Sequence, residues 1–175
     1  MALTIRPARF PEDAQAMARL CWGYRDLLAA RCAATPAIVD TYYSTDSYSA
    51  LIDDLPRIHA RPAGDILLAE LDGTPVGCAM YYPLSLPATC EIKRVFVEDR
   101  ARGHGAGKAL MRAAMTRARA DGYDRMVLDT MYLLTEAISL YIALGFAPCA
   151  PFYDPDPEFA PILRFFDHPL SDQPT

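Results

Sequence analysis

The stretch Arg100-Ala101-Arg102-Gly103-His104-Gly105-Ala106-Gly107-Lys108 constrains this chain more than any other. An apolar run, Val95-Phe96-Val97, precedes it, and a helix-like run, Ala109-Leu110-Met111-Arg112-Ala113-Ala114-Met115, follows. The order is a strand, a glycine-rich turn and a helix start. Glycines at alternate positions give the backbone dihedrals closed to other residues and leave its amides uncovered. The first N–H groups of a helix lack partners within it, and the helix dipole is positive at that end. Such a turn is an anion site, and phosphate is the usual anion. Arg100, Arg102 and Lys108 add positive charge around it. The competing reading is an ordinary glycine-rich surface turn.

Counting residues separates the phosphate ligands. A nucleoside-triphosphate loop, G-x-x-x-x-G-K-[ST], needs glycine at position 102 and a hydroxyl at 109, and the chain has Arg102 and Ala109. A dinucleotide fingerprint begun at Gly103 and Gly105 needs glycine at 108, and the chain has Lys108. What remains is R-x-x-G-x-G, filled by Arg102, Gly105 and Gly107. A second segment, Ala137-Ile138-Ser139-Leu140-Tyr141-Ile142-Ala143-Leu144-Gly145-Phe146, reads A-x-x-L-Y-x-x-x-G-F. Both motifs, and the spacing between them, resemble the GNAT superfamily of acyl-CoA N-acyltransferases.

The remaining chain is read in order. Residues 2–7 suggest a strand. Pro11-Glu12-Asp13 opens a helix that ends between Arg31 and Pro36, with Met17, Leu20, Cys21, Tyr24, Leu27 and Leu28 at helical spacing. Residues 36–60 hold a second helical region, clearest from Ser49 to His59. Asp65 to Leu71 and Pro75 to Tyr82 are strands around an Asp72-Gly73 turn. Thr89 to Val97 is a long strand carrying Glu91, Lys93 and Arg94. The helix after the glycine turn ends at Gly122, Arg125 to Thr130 is an apolar central strand, and Thr135 to Leu144 is a helix stopped by Gly145. Phe146 onward is extended, residues 148–161 form a proline-rich loop, and Ile162 to Phe166 is a last strand.

The resemblance implies an α/β (α+β) architecture: a mixed, mostly antiparallel sheet of about seven strands, splayed in the middle and flanked by about four helices. At 175 residues the chain is expected to be one domain, 1–175. A net charge of -5 argues against a general binder of nucleic acid or acidic membrane. Segment 98–125 runs the other way, with seven Arg or Lys against four acids where the anion site is proposed. The five cysteines are scattered, with no C-x-x-C and no nearby histidine, so neither a disulfide framework nor a metal site is expected. No signal pattern opens the chain and no apolar run nears membrane-spanning length, so a cytoplasmic protein is expected.

The same resemblance assigns function. Acetyl-CoA is the implied co-substrate, its diphosphate held by the backbone of Arg102, Gly103, His104, Gly105, Ala106, Gly107 and Lys108. Its pantetheine arm is assigned to Val95, Phe96 and Val97, which plain core packing also explains. A small residue at Ala137 leaves room for the arm. The asparagine that family members often carry at position 134 is Leu134 here, and Thr135 or Glu136 is the substitute considered.

Tyr141 is the candidate general acid, because a phenol of pKa near ~10 is protonated at neutral pH and can donate to a leaving thiolate. The alternative is a core tyrosine. Glu91 is the candidate general base, with a salt bridge to Lys93 or Arg94 as the equal alternative. Strict alternation puts Glu91, Lys93, Val95 and Val97 on one face, and a bulge would break that parity.

Acceptor contacts are expected from Trp22, Tyr24, Arg25, Tyr42, Tyr43, Tyr81, Tyr82 and Tyr153, since aromatics can sandwich a cationic amine. Core packing competes, most strongly for Trp22 and Tyr24. The expected reaction is acetyl transfer to a small or amino-acid-like primary amine. A non-catalytic acyl-CoA-binding module and a protein N-terminal or lysine acetyltransferase are the alternatives. Family members frequently dimerise.

Overall fold

The computed structural model describes residues 2–171. The described residues contain seven strands in one sheet, ordered β1-β2-β3-β4-β5-β7-β6. These are β1 (Leu3–Pro7), β2 (Asp65–Leu71), β3 (Thr74–Pro83), β4 (Thr89–Val97), β5 (Arg125–Met131), β6 (Ala147–Pro148) and β7 (Leu163–Pro169). Neighbours are antiparallel except β4 and β5, which are parallel. This mixed, open sheet is the architecture that the family resemblance implies.

Five α-helices flank it: α1 (Ala14–Arg31), α2 (Ala37–Tyr42), α3 (Thr45–Ile58), α4 (Ala106–Ala120) and α5 (Thr135–Ala143). About four were expected. The additional one arises because region 36–60 breaks into two helices. Ser44, extended at φ -56 and ψ 146, starts the second of them.

The sheet buries both faces. On one, Leu110, Met111, Ala114 and Ala118 of α4 pack on Leu67, Ala69, Ala79, Tyr81 and Ile92. On the other, Met17, Leu20 and Cys21 of α1 with Tyr48, Ile52 and Leu55 of α3 pack on Ile66, Leu68, Cys78, Met80 and Phe96. Each buried leucine-sized side chain contributes roughly 2 kcal/mol through apolar area removed from water. The alternation along β2, odd residues toward α4 and even residues toward α1, follows from the two-residue period of a strand.

Two irregularities shape the centre. Cys78 pairs with Phe96 and Met80 with Lys93, so β4 carries one more residue than β3 between those pairs. The bulge holds Arg94, at φ +52, a left-handed conformation uncommon outside glycine. It switches the parity of β4. Cys90 and Ile92 face α4, and beyond the bulge Val95 and Val97 pack on that same side while Phe96 faces α1. The strict alternation that grouped Glu91 and Lys93 with Val95 and Val97 is therefore broken.

The second irregularity is the β4/β5 pairing. It covers only Thr89–Arg125, Cys90–Met126 and Glu91–Val127. From there β4 runs on to Val97 and β5 to Met131 without pairing. β5 keeps its full register with β7, from Arg125 opposite Pro169 to Met131 opposite Leu163. The sheet is thus parted between β4 and β5 while each strand stays anchored on its other edge. No helix among the described residues is long and apolar enough to cross a membrane.

Candidate active site

The gap between β4 and β5 opens into a cleft of about 460 Å3, a size that suits a small-molecule site. It runs from the glycine turn past Val95, Val97, Ala137, Leu140 and Tyr141, and on to Tyr24, Tyr43, Lys93, Arg94 and Asp129.

The turn forms one end. Gly103 and Gly105 have φ of +80 and +76, so glycine is the residue that fits there without strain. A short helical turn, Asp99–Ala101, leads in, and Ala101 is fully buried as its anchor. The first α4 hydrogen bond runs from the Ala109 N–H to the Gly105 carbonyl at 2.9 Å, and no side chain caps the helix. The amides of Ala106, Gly107 and Lys108 therefore precede the helical ladder. A β-carbon at Gly107 would lie 3.3 Å from Leu140 Cδ2, so glycine lets α4 and α5 approach. Arg102 pairs with Asp99 at 2.9 Å, whereas Lys108 has no acidic partner among the described residues. Gly103, Gly105, Ala106, Gly107, Lys108 and Arg102 line the cleft, and His104 does not.

Tyr141 sits in the cleft wall at 6% exposure, its ring against Phe146 and Phe166. Its hydroxyl has no hydrogen-bond partner among the described residues, although a buried phenol usually finds one. Burial, and then the negative charge of Asp129, raise its pKa above the ordinary phenol value. The group is held protonated.

Past Tyr141 lies a charged cluster. The Lys93 ammonium contacts Glu91 Oε1 at 2.6 Å and Asp129 Oδ1 at 2.8 Å. The Tyr82 hydroxyl donates to Glu91 Oε2, and the Tyr153 hydroxyl donates to Asp129 Oδ2 at 2.9 Å. Burial pushes the Glu91 carboxyl up, and Lys93 and Tyr82 pull against it. Burial also opposes charge on Asp129, but Lys93 outweighs it and holds that carboxyl low. For Lys93, burial is overcome by Asp129 and Glu91, which keep it firmly cationic. Glu91 thus has both the raised pKa of a base candidate and the salt bridge of the alternative reading.

Behind Tyr82 lies His59, edge-on to its ring at a centroid distance of 5.4 Å, with Nδ1 donating to the Tyr81 carbonyl at 2.9 Å. Burial lowers its pKa to about 4. An unfolded histidine protonates near ~6.5, so the folded state resists a proton that the unfolded state accepts. Stability therefore falls as pH drops from about 6.5 to about 4, by roughly 3 kcal/mol in all. The expected NMR titration of the His59 ring has its midpoint near 4. A midpoint near 6.5 contradicts this.

The aromatic acceptor set divides. Tyr24 and Tyr43 line the cleft with centroids 6.2 Å apart, and Tyr82 and Tyr153 hold the two carboxylates. Tyr81 stands apart: it is fully buried on the α4 face, and its hydroxyl meets Asp121 at 2.5 Å. Tyr42 is exposed and packs on Phe159, outside the cleft. Arg25 also lies outside; its Nε donates to the Tyr43 carbonyl at 2.7 Å, anchoring the residue that does line it. Trp22 packs on Tyr48. At the start of α5, Leu134 lines the cleft while Thr135 is exposed and turned to Glu136. Glu136 pairs with Arg31 of α1 at 2.7 Å, at the cleft rim.

Asp129 escaped the sequence reading because it lies inside the apolar run of β5. An acid at the centre of such a run was the available signal.

Residues 30–146 match the model of the acetyltransferase (GNAT) family. The chain belongs to the GNAT family. It is 36% identical over 98 residues to an uncharacterised N-acetyltransferase of Schizosaccharomyces pombe, covering 55% of this chain and 60% of that one. An IAA acetyltransferase of Azospirillum brasilense is 35% identical over 132 residues, covering 73% of this chain and 84% of that one. For a Dictyostelium discoideum relative, 45% identical, the match covers 37% of this chain and only 30% of the relative. The chain thus spans less than two thirds of some GNAT relatives it matches. Among solved structures, the PaiA N-acetyltransferase of Thermoplasma acidophilum, in complex with coenzyme A, superposes with a TM-score of 0.73 at 17% identity, over 97% of this chain and 99% of that one. YncA of Salmonella typhimurium, solved with acetyl-CoA, gives 0.68 at 23% identity, over 100% and 98%. At those identities the likeness is one of fold, and it covers the GNAT sheet from end to end.

Proposed function

We propose that this protein is an acetyl-CoA-dependent N-acetyltransferase that transfers the acetyl group directly to a primary amine. The carrying observation is the parted β4/β5 pair, with uncovered amides at one end of the gap and, at the other, Lys93 and Asp129 lining the cleft with Glu91 buried behind Lys93. The solved relatives holding coenzyme A or acetyl-CoA, and the acetyltransferase names of the sequence relatives, support the choice of co-substrate.

In this reading the α4 amides and Lys108 take the diphosphate, and the unpaired β4 edge at Val95 and Val97 takes the pantetheine amides as an added strand would. The backbone beyond the bulge polarises the thioester carbonyl. The amine enters beside the Tyr24–Tyr43 pair. Glu91, directly or through water, takes one proton from the ammonium, leaving the nitrogen lone pair free to attack the carbonyl carbon. The C–N bond forms, the C–S bond breaks, and Tyr141 gives its proton to the departing sulfur. The second nitrogen proton is released as the amide forms, and Tyr141 is reprotonated from solvent.

Incubation with acetyl-CoA and a broad amine panel, read by mass spectrometry of the amine, tests the reading. An acetylated amine is expected; acetyl-CoA binding with no acetylated product on any amine overturns it. The role of Glu91 has its own signature. Activity needs the carboxylate, so kcat/KM should fall as pH drops through a pKa above the ordinary glutamate value. Glu91→Gln should cost about 10² in kcat/KM and erase that acid limb. An unchanged limb in the variant removes Glu91 from the base role.

A further inference from the structure

Among the described cations lining the cleft, Arg94 alone has neither a role in the reaction above nor a carboxylate partner. Arg31 is paired with Glu136, Arg102 with Asp99, and Lys93 with two carboxylates, while Lys108 stands at the diphosphate end. Arg94 lines the opposite end and has no carboxylate partner among the described residues. Its Nε is buried without a hydrogen bond. Its guanidinium carbon lies 5.8 Å from the Tyr48 ring centroid, within reach of that residue's hydroxyl, and Nη1 meets the Met80 sulfur at 3.9 Å. Its other neighbours are Tyr24, Tyr43 and Cys21, and none of them is a carboxylate. A guanidinium carries five donors in a planar fork that matches a carboxylate. One phenol and a thioether satisfy little of that capacity, and leaving a buried charge unpaired is costly. The bulge that presents Arg94 also has a left-handed backbone at a non-glycine residue, a conformation that persists only where the surroundings impose it.

We propose that Arg94 binds a carboxylate on the acceptor, so that the substrates are amino acids or closely related amino carboxylates. The inference deepens the acetyltransferase reading and rests on it for the identity of the second substrate. The arrangement also fits the charge balance. Glu91 and Asp129 are partly compensated by Lys93, which leaves an acidic excess for the amine, while Arg94 receives the acid. An amine lacking the carboxylate would leave the guanidinium buried and unpaired, which is how a polar site rejects an analogue.

The test compares acceptors in matched pairs, each amino acid against the amine left when its carboxylate is removed. The wild-type protein should favour the amino acid by about 100-fold in kcat/KM, the loss typical of truncating one partner of a desolvated charge pair. Arg94→Met should erase that preference and leave the matched amine within about twofold. Arg94→Lys should restore part of it, since it keeps the charge without the fork. Acetyl-CoA affinity should be unchanged in both variants. Equal use of amino acid and matched amine by the wild-type protein overturns the proposal, whether or not the variants fold. So does a preference that survives both substitutions.

If no amine is acetylated, calorimetric titration of the same pairs into the protein with coenzyme A separates the two ideas. Carboxylate-dependent binding that is lost in Arg94→Met keeps the Arg94 assignment and ends the enzymatic reading. No such binding ends the assignment.

Discussion

Tyr141→Phe should lower kcat by roughly 10² to 10³ while leaving the acetyl-CoA Kd within about twofold. The substitution removes one oxygen from a ring held by Phe146 and Phe166 and creates no cavity. The hydroxyl has no hydrogen-bond partner among the described residues, so its loss strands no donor or acceptor, and the melting temperature should barely move. An effect confined to kcat is the mark of a group acting only in the transition state. Burial and the nearby Asp129 charge favour the neutral phenol, the form that has a proton to give. A variant that turns over at the wild-type rate assigns thiolate protonation to solvent or to another group. A variant that melts much lower returns Tyr141 to the core.

Gly105→Val should raise the acetyl-CoA Kd by at least about 100-fold. Gly105 stands at φ +76 immediately before α4. A β-branched residue there is strained by about 1–3 kcal/mol, and the backbone relieves that by turning away from the left-handed region. The amides of Ala106 to Lys108 then lose their common direction, and each charge-assisted hydrogen bond to phosphate is worth more than a neutral one. The added side chain meets nothing within 4 Å at its β-carbon, so core packing is spared. Coenzyme A titrations should show the loss while amine-site probes are unaffected. Unchanged affinity would place the diphosphate elsewhere.

These two positions were legible from sequence for the same reason. A glycine turn before a helix advertises its backbone geometry, and the tyrosine motif carries a fixed spacing from it. The β-elements were legible as well, because alternation and turn residues mark their ends. The bulge at Arg94 was not. Nothing local distinguishes an arginine at positive φ from its neighbours, so strict alternation put Lys93 and Val95 on one face when they lie on opposite ones. The same blindness hid the charged end of the cleft. Tyr82 and Tyr153 hydrogen-bond carboxylates, and Arg25 hydrogen-bonds the Tyr43 carbonyl; such relations depend on strands and loops far apart in the chain. Tyr81 and Tyr82 are adjacent in sequence and end on opposite faces of β3, and composition alone weighs them equally.

We propose that the gap between β4 and β5 holds acetyl-CoA, and thermal unfolding with and without ligand tests this most directly. A ligand that binds only the folded state adds RT ln(1 + [L]/Kd), about 4 kcal/mol at a thousandfold excess over Kd. For a chain of this size that corresponds to a rise in Tm of roughly 10 °C. Acetyl-CoA and coenzyme A should both produce it at millimolar concentration, and ATP should not, since Arg102 and Ala109 replace the glycine and hydroxyl of a triphosphate loop. No shift with acetyl-CoA, or an equal shift with ATP, would contradict the account.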